Sequence, residues 1–303
     1  MLATPPHDHD SLLRFLLPGA GVRGVWVHLD DTWSQVRARI DDQPAAVTEL
    51  LGEAMAASAL FTGHAKVDGR LSVQLRGDGP LRALFAECTA AGTLRGITQV
   101  SDDTPLARDL RDLGAGAILA ITIENPGAAG REPTRYQGLV ALESDTLAGA
   151  FEGYFRQSEQ LPTRLLLVAG DRGAAGLMLQ KLPGDAGDHD GWNRVGALFD
   201  TLAQAELLEL SPATLLHRLF HEEGVELLAE RPLRFGCSCS RERVASMLQS
   251  LGREEADAAA AAAGGIARIR CEFCGQQYEF NPGEIAKLFD FAQTPLPAPD
   301  LLH

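Results

Sequence analysis

The segment GCSCSRERVASMLQSLGREEADAAAAAAGGIARIRCEFCGQQYEF, residues 236–280, decides how this chain is organised. It carries Cys237 and Cys239 as C-x-C and Cys271 and Cys274 as C-x-x-C, with 31 residues between the pairs. Four closely paired thiols point to one tetrahedral, all-thiolate zinc site, one ion per chain. Between the pairs, a short helix is expected from Ser240, with Val244, Met247, Leu248 and Leu251 apolar. The alanines at 256–263 favour helix, and Gly264 and Gly265 end it. Ile266 and Ile269 then lead into the second pair. A unit of about 55 residues with so few large apolar side chains sits at the size where a metal staple is commonly needed. Zinc binding would supply on the order of 10 kcal/mol of its folding free energy.

Spacing fits three uses of such a site. A purely structural zinc site leads, a redox-responsive one follows, and a thiol-disulfide oxidoreductase pair at Cys271 and Cys274 comes last. Zinc holds its sulfurs as thiolates, the form that oxidants attack, so oxidised ligands would cost the unit its staple. A disulfide across C-x-C must bend the backbone to bring the Cα atoms within about 4.4 to 6.8 Å, which favours easy reduction.

Working upstream, residues 186–235 read as an amphipathic helical linker. Val195, Leu198, Phe199, Leu202 and Ala205 share one face, and Ser211 with Pro212 marks a new N-cap and first turn. Leu215, Leu216, Leu219 and Phe220 form a second apolar face, and Gly224 is the expected stop. Such faces either pack as ordinary core or are covered only conditionally.

Residues 1–185 read as an α+β (mixed α/β) domain ending near Pro183. The run TELLGEAMAASALF from Thr48 is helical, with Leu51, Met55 and Ala59 on one face. RLSVQLRGDGPLRALFAEC, 70–88, reads as a hairpin turning at Gly77, Asp78, Gly79 and Pro80. Further strands are expected at 117–123, 136–142 and 164–168. A helical stripe of Leu147, Phe151, Tyr154, Phe155 and Ser158 lies between the last two.

Several motifs carry no chemistry. Gly19, Gly21 and Gly24 satisfy G-x-G-x-x-G, but Leu16, Leu17 and Pro18 stand where a completed strand should be, and the strand-like VWVHLDD follows where a helix is required. His7, Asp8, His9 and Asp10 read as a polar terminus, Asp102 and Asp103 as a turn, and Cys88 as a small core residue. No P-loop, G-x-S-x-G or H-E-x-x-H occurs. The net charge of −14 and pI near 5.0 argue against a nucleic-acid partner. Arg241, Arg243, Arg268 and Arg270 flank the cysteines, and are expected either to raise the local positive potential around the thiolates or to pair with Glu242, Glu254 and Glu255. No run of about 18 apolar residues exists to cross a membrane, and the N-terminus lacks the basic start of a secretory signal, so a cytoplasmic protein is expected. The zinc domain is bounded at 236–293, and TPLPAPDLLH, 294–303, forms a Pro-rich tail.

These blocks together resemble the heat shock protein 33 family of redox-regulated bacterial chaperones. The resemblance runs through LLGEAMAASALF, LSVQLRGDGPLRALFAE, AILAITI, RYQGLV, YFRQSEQLPTRLLL, LLHRLFHEE, FGCSCSRERV and CEFCGQQYEF. It implies an ATP-independent, non-enzymatic holdase for unfolding client proteins, monomeric, zinc-bound and inactive when reduced. Oxidation is expected to pair Cys237 with Cys239 and Cys271 with Cys274, release the zinc, unfold the C-terminal domain and favour a homodimer. The implied client surface is the linker's apolar set: Leu198, Phe199, Leu202, Leu215, Leu216, Leu219 and Phe220. The plain alanine run at 256–263 and the Pro-rich tail depart from the family pattern, and neither touches a ligand.

Overall fold

Strands with apolar residues on both faces organise the N-terminal part, because each face has a different layer to cover. The computed structural model describes residues 10–40, 43–101, 108–127, 132–184 and 188–290. His7, Asp8, His9, Asp102, Asp103 and the tail at 294–303 lie outside the described residues. The chain folds into two compact units, Met1–Gly236 and Cys237–His303.

The first unit runs β1 (Ser11–Leu17), β2 (Val22–Leu29), α1 (Asp31–Arg37), α2 (Ala45–His64), β3 (Arg70–Arg76), β4 (Leu81–Thr89) and β5 (Thr93–Val100). It continues with β6 (Ile118–Asn125), β7 (Thr134–Val140), α3 (Leu147–Tyr154), β8 (Thr163–Ala169) and β9 (Ala174–Lys181). Then come α4 (Gly191–Phe199), α5 (Gln204–Glu209), α6 (Pro212–Phe220), β10 (Glu226–Pro232) and β11 (Arg234–Phe235). One sheet has the order β10-β1-β2-β9-β8 and the other β11-β5-β4-β3-β6-β7. The expected hairpin is present, with Leu71 opposite Cys88 and Leu75 opposite Leu84.

Helix α2 fills the space between the two sheets, and from Val47 to Gly63 every residue but Thr48 and Glu49 is buried. The one-sided stripe expected from Leu51, Met55 and Ala59 is therefore too narrow, because both flanks of the helix meet a sheet. The first sheet shows the strand period of two directly. Leu12, Val25, Val27, Leu29 and Met178 join the α2 core, whereas Leu13, Phe15, Leu17, Trp26, Leu177 and Leu179 join a second core under α4, α5 and α6.

That second core explains the glycines of the apparent nucleotide motif. A completed strand, β1, does precede them, contrary to the reading of Leu16, Leu17 and Pro18, but β2 follows instead of a helix. Gly21 has φ 62, a left-handed turn conformation. A Cβ on Gly24 would lie 2.0 Å from the Phe15 ring, which itself stacks on Phe220 with ring centroids 6.4 Å apart. These glycines serve a turn and a close packing approach.

Residues 186–235 belong to the first unit. The Ser211 side chain caps α6, and Gly224 ends the following turn at φ 70. Arg194 on α4 donates to Glu223, a buried carboxylate, at 2.5 Å and to Asp188 at 2.8 Å, tying α4 to the end of the α6 segment. The stretch ends in strands: β10 extends the first sheet beside β1, and β11 pairs with β5 of the second.

Candidate metal centre

The second unit consists of α7 (Arg241–Leu251), α8 (Arg253–Ala262), the two-stranded pair β12 (Ala267–Arg270) and β13 (Gln277–Phe280), and α9 (Pro282–Asp290). Ser240, directly after Cys239, accepts from the Arg243 N–H and starts α7, which fixes where the first cysteine pair ends. The second pair sits in the turn between β12 and β13. There the Cys271 N–H donates to the Gln276 carbonyl at 2.9 Å and the Gly275 N–H to the Cys271 carbonyl at 2.8 Å, with Gly275 at φ 73. The turn presents both sulfurs to the same side.

The four sulfurs predicted as ligands come together, all within 4.8 Å of one another and each half-buried. The short approaches run between the pairs: Cys237 Sγ to Cys271 Sγ is 3.7 Å, and Cys239 Sγ to Cys274 Sγ is 3.3 Å. A tetrahedral ion with sulfur at about 2.3 Å spaces its ligands about 3.8 Å apart, so the cluster fits one such ion. Four soft sulfur donors without a carboxylate or imidazole in the group suit zinc.

The sulfurs differ electrostatically. Burial pushes the Cys274 thiol up to about 12, and so does its hydrogen bond with Cys239. Burial also acts upward on Cys239, but the Tyr278 hydroxyl, which donates to its sulfur, and the hydrogen bonds shared with the neighbouring thiols hold it at about 7. The Tyr278 hydroxyl lies 3.1 Å from Cys239 Sγ. No motif in the sequence marks Tyr278, although the alternation of β13 places it on the same face as Phe280.

Around the cluster Arg241, Arg243 and Arg268 find partners other than Glu242, Glu254 and Glu255. Arg241 pairs with Glu284 at 2.8 Å, Arg268 with Glu279 at 3.1 Å and Arg253 with Asp257 at 3.5 Å, while Arg243 donates to the Ser238 carbonyl. The α7 register explains the difference. Glu242 accompanies the capping Ser240 in the first turn, and Arg241 reaches across to α9 while lying over the Phe280 ring.

Behind the sulfurs the apolar core is small: Val244, Leu248, Ala256, Ala260, Ala267, Phe280 and Ile285. Met247 and Leu251, expected with Val244 and Leu248, are 43% and 58% exposed and add nothing to it. Cys88, by contrast, is fully buried in the first unit, and burial pushes its thiol up to about 12, which leaves it unreactive. The linker's apolar set lies in the second core of the first unit, with Leu198 half-buried and Phe199, Leu202, Leu215, Leu216, Leu219 and Phe220 buried. No described helix is long and apolar enough to cross a membrane.

The profile of the Hsp33 protein family matches residues 10–281. The chain belongs to the Hsp33 family. Among curated relatives, the 33 kDa chaperonin of Ectopseudomonas mendocina is 44% identical over 296 residues, covering 96% of this chain and 98% of the relative. That of Chromobacterium violaceum is 41% identical over 285 residues, covering 94% and 95%. The crystal structure of the Thermotoga maritima 33 kDa chaperonin superposes with a TM-score of 0.74 at 22% identity, over 94% of this chain and 99% of that one. That last likeness concerns the fold alone. Membership in the Hsp33 family makes the chain a chaperone with four cysteines placed to hold a metal ion.

Proposed function

We propose that this chain is a redox-regulated, ATP-independent holdase whose switch is the cluster of Cys237, Cys239, Cys271 and Cys274. The observation that carries the reading is the convergence of four sulfurs over a core of seven side chains, three of them alanine. Zinc, one ion per chain, supplies the cross-link such a unit needs in its reduced state. Oxidation converts the thiolates into the pairs Cys237–Cys239 and Cys271–Cys274, the sulfurs cease to be ligands, and the remaining core is too small to hold the unit folded. The approaches between the pairs are also short, so disulfide mapping by mass spectrometry decides the pairing.

Loss of the second unit then loosens the chain entering it. Helices α4 and α6 leave the first sheet, and Leu198, Phe199, Leu202, Leu215, Leu216, Leu219 and Phe220 become a surface for unfolding client proteins. The same surface supports dimerisation of the oxidised form, whereas the reduced form is monomeric. The setting is the cytoplasm, where reducing conditions keep the thiols metal-bound until oxidant arrives. Neither nucleic acid nor membrane is a partner, in keeping with the net charge of −14.

Light scattering of a heat-unfolding test protein checks the reading. Without nucleotide, chain treated with peroxide at mild heat is expected to suppress aggregation and to have lost one zinc ion. Equal suppression by the reduced, zinc-loaded chain contradicts it. Catalytic turnover in an insulin-reduction assay would instead favour an oxidoreductase at Cys271 and Cys274.

A further inference from the structure

Strand β13 alternates: Gln277 and Glu279 are exposed, whereas Tyr278 and Phe280 face inward. Phe280 enters the small core of the second unit. One pleat earlier the Tyr278 phenol packs against that core, and its hydroxyl donates to Cys239 Sγ at 3.1 Å. The backbone of Tyr278 is held by pairing with Ile269 on β12. Two other sulfurs have backbone donors, the Cys239 N–H for Cys237 and the Gln276 N–H for Cys274. Among the described residues, no other side-chain hydroxyl donates to one of the four clustered sulfurs.

We propose that Tyr278 is a positioning residue of the metal centre: its hydroxyl fixes the Cys239 sulfur, slows metal loss and sets how much oxidant the site withstands. The inference rests on the zinc-thiolate reading of the cluster. A hydrogen bond donated to an ionised sulfur is charge-assisted and favours the thiolate that a metal binds. It also draws on the lone pair that reacts with oxidant. With hydrogen peroxide, a thiolate attacks one oxygen, the O–O bond breaks, and a sulfenic acid and hydroxide result. A second thiol then forms the S–S bond and water leaves. A sulfur engaged by Tyr278 is the weaker nucleophile in the first step, and its grip on the metal is the firmer.

The test uses the full chain, reduced and loaded with one zinc ion. In competition with a chromophoric chelator, Tyr278→Phe is expected to bind zinc on the order of tenfold more weakly. The sulfur-to-cobalt charge-transfer band of the Co2+-substituted variant should shift, and peroxide should release its zinc several-fold faster. Ile269→Val trims packing at the cross-strand neighbour without touching the hydroxyl, and is expected to leave all three readouts unchanged. Wild-type affinity, band and release rate in Tyr278→Phe would overturn the inference, as would the same changes in Ile269→Val. A wild-type chain that binds no zinc overturns the zinc reading itself, and the inference with it.

Discussion

Helices α2 and α8 are both rich in alanine, and they are held in place by different means. AAVTELLGEAMAASALFTGH lies between two sheets, with Leu50, Leu51, Met55, Leu60 and Phe61 all at or below 2% exposure. REEADAAAAA buries only Ala256 and Ala260. Alanine favours helix in both, but propensity is a small term, and tertiary packing provides most of a helix's stability. The first helix is secured by apolar area. The second depends on a handful of core residues and on the sulfur cluster beside them. Stability is thus distributed unevenly along one chain, and the weakly packed part is where the four clustered sulfurs sit.

The largest effect separating the two regions should come from the metal. With zinc as the ion, its removal by a chelator under reducing conditions is expected to withdraw on the order of 10 kcal/mol from the second unit. Hydrogen exchange is expected to show α7, α8, β12 and β13 unprotected while α2 and the first sheet stay protected. Exchange that rises equally in α2 would break the comparison.

Core truncation should act in the opposite direction. Phe151 is fully buried and meets Phe61 edge-on, with ring centroids 4.9 Å apart. Phe151→Ala should destabilise the first unit by about 3–5 kcal/mol in urea titration and leave zinc affinity unchanged. Phe220→Ala, at the Phe15 stack, should cost a similar amount and in addition make α6 easier to release.

Acid should distinguish the regions next. His64, at the end of α2, is held neutral down to about 3 by burial and then by Arg23 and Arg14. Its folded pKa lies below the ordinary 6.5, so the unfolded chain binds the extra proton. The contribution is complete above pH 6.5 and is lost as pH falls from there toward 3. By pH 4.5 the loss is about 2–3 kcal/mol, and His64→Gln should flatten that part of the stability curve. The smallest effect belongs to Leu251, 58% exposed at the end of α7. Leu251→Gln should stay within about 0.5 kcal/mol of wild type in thermal melts.

The sequence discloses the sulfur cluster more fully than the fold around it. Cysteine spacing alone brings Cys237, Cys239, Cys271 and Cys274 together, because thiols paired that tightly have few other uses. The α6 cap at Ser211 and the turn at Gly77–Pro80 are equally local and equally legible. What escapes is whatever depends on distant partners. Strand β9, AAGLMLQK, is buried along seven of its eight positions and shows no alternation, since both its faces are covered. Strands β10 and β11 follow helices and find their sheets only through tertiary pairing. Tyr278 escapes for the same reason, as its sulfur partner lies 39 positions away.

Hydrogen exchange on the full chain before and after peroxide oxidation, read together with client binding, tests the central claim most directly. The account predicts that α7, α8, β12 and β13 lose protection, that α4 and α6 lose it with them, and that α2, β2 and β9 retain it. An oxidised chain that binds client while α4 and α6 remain fully protected would contradict it and place the client surface elsewhere.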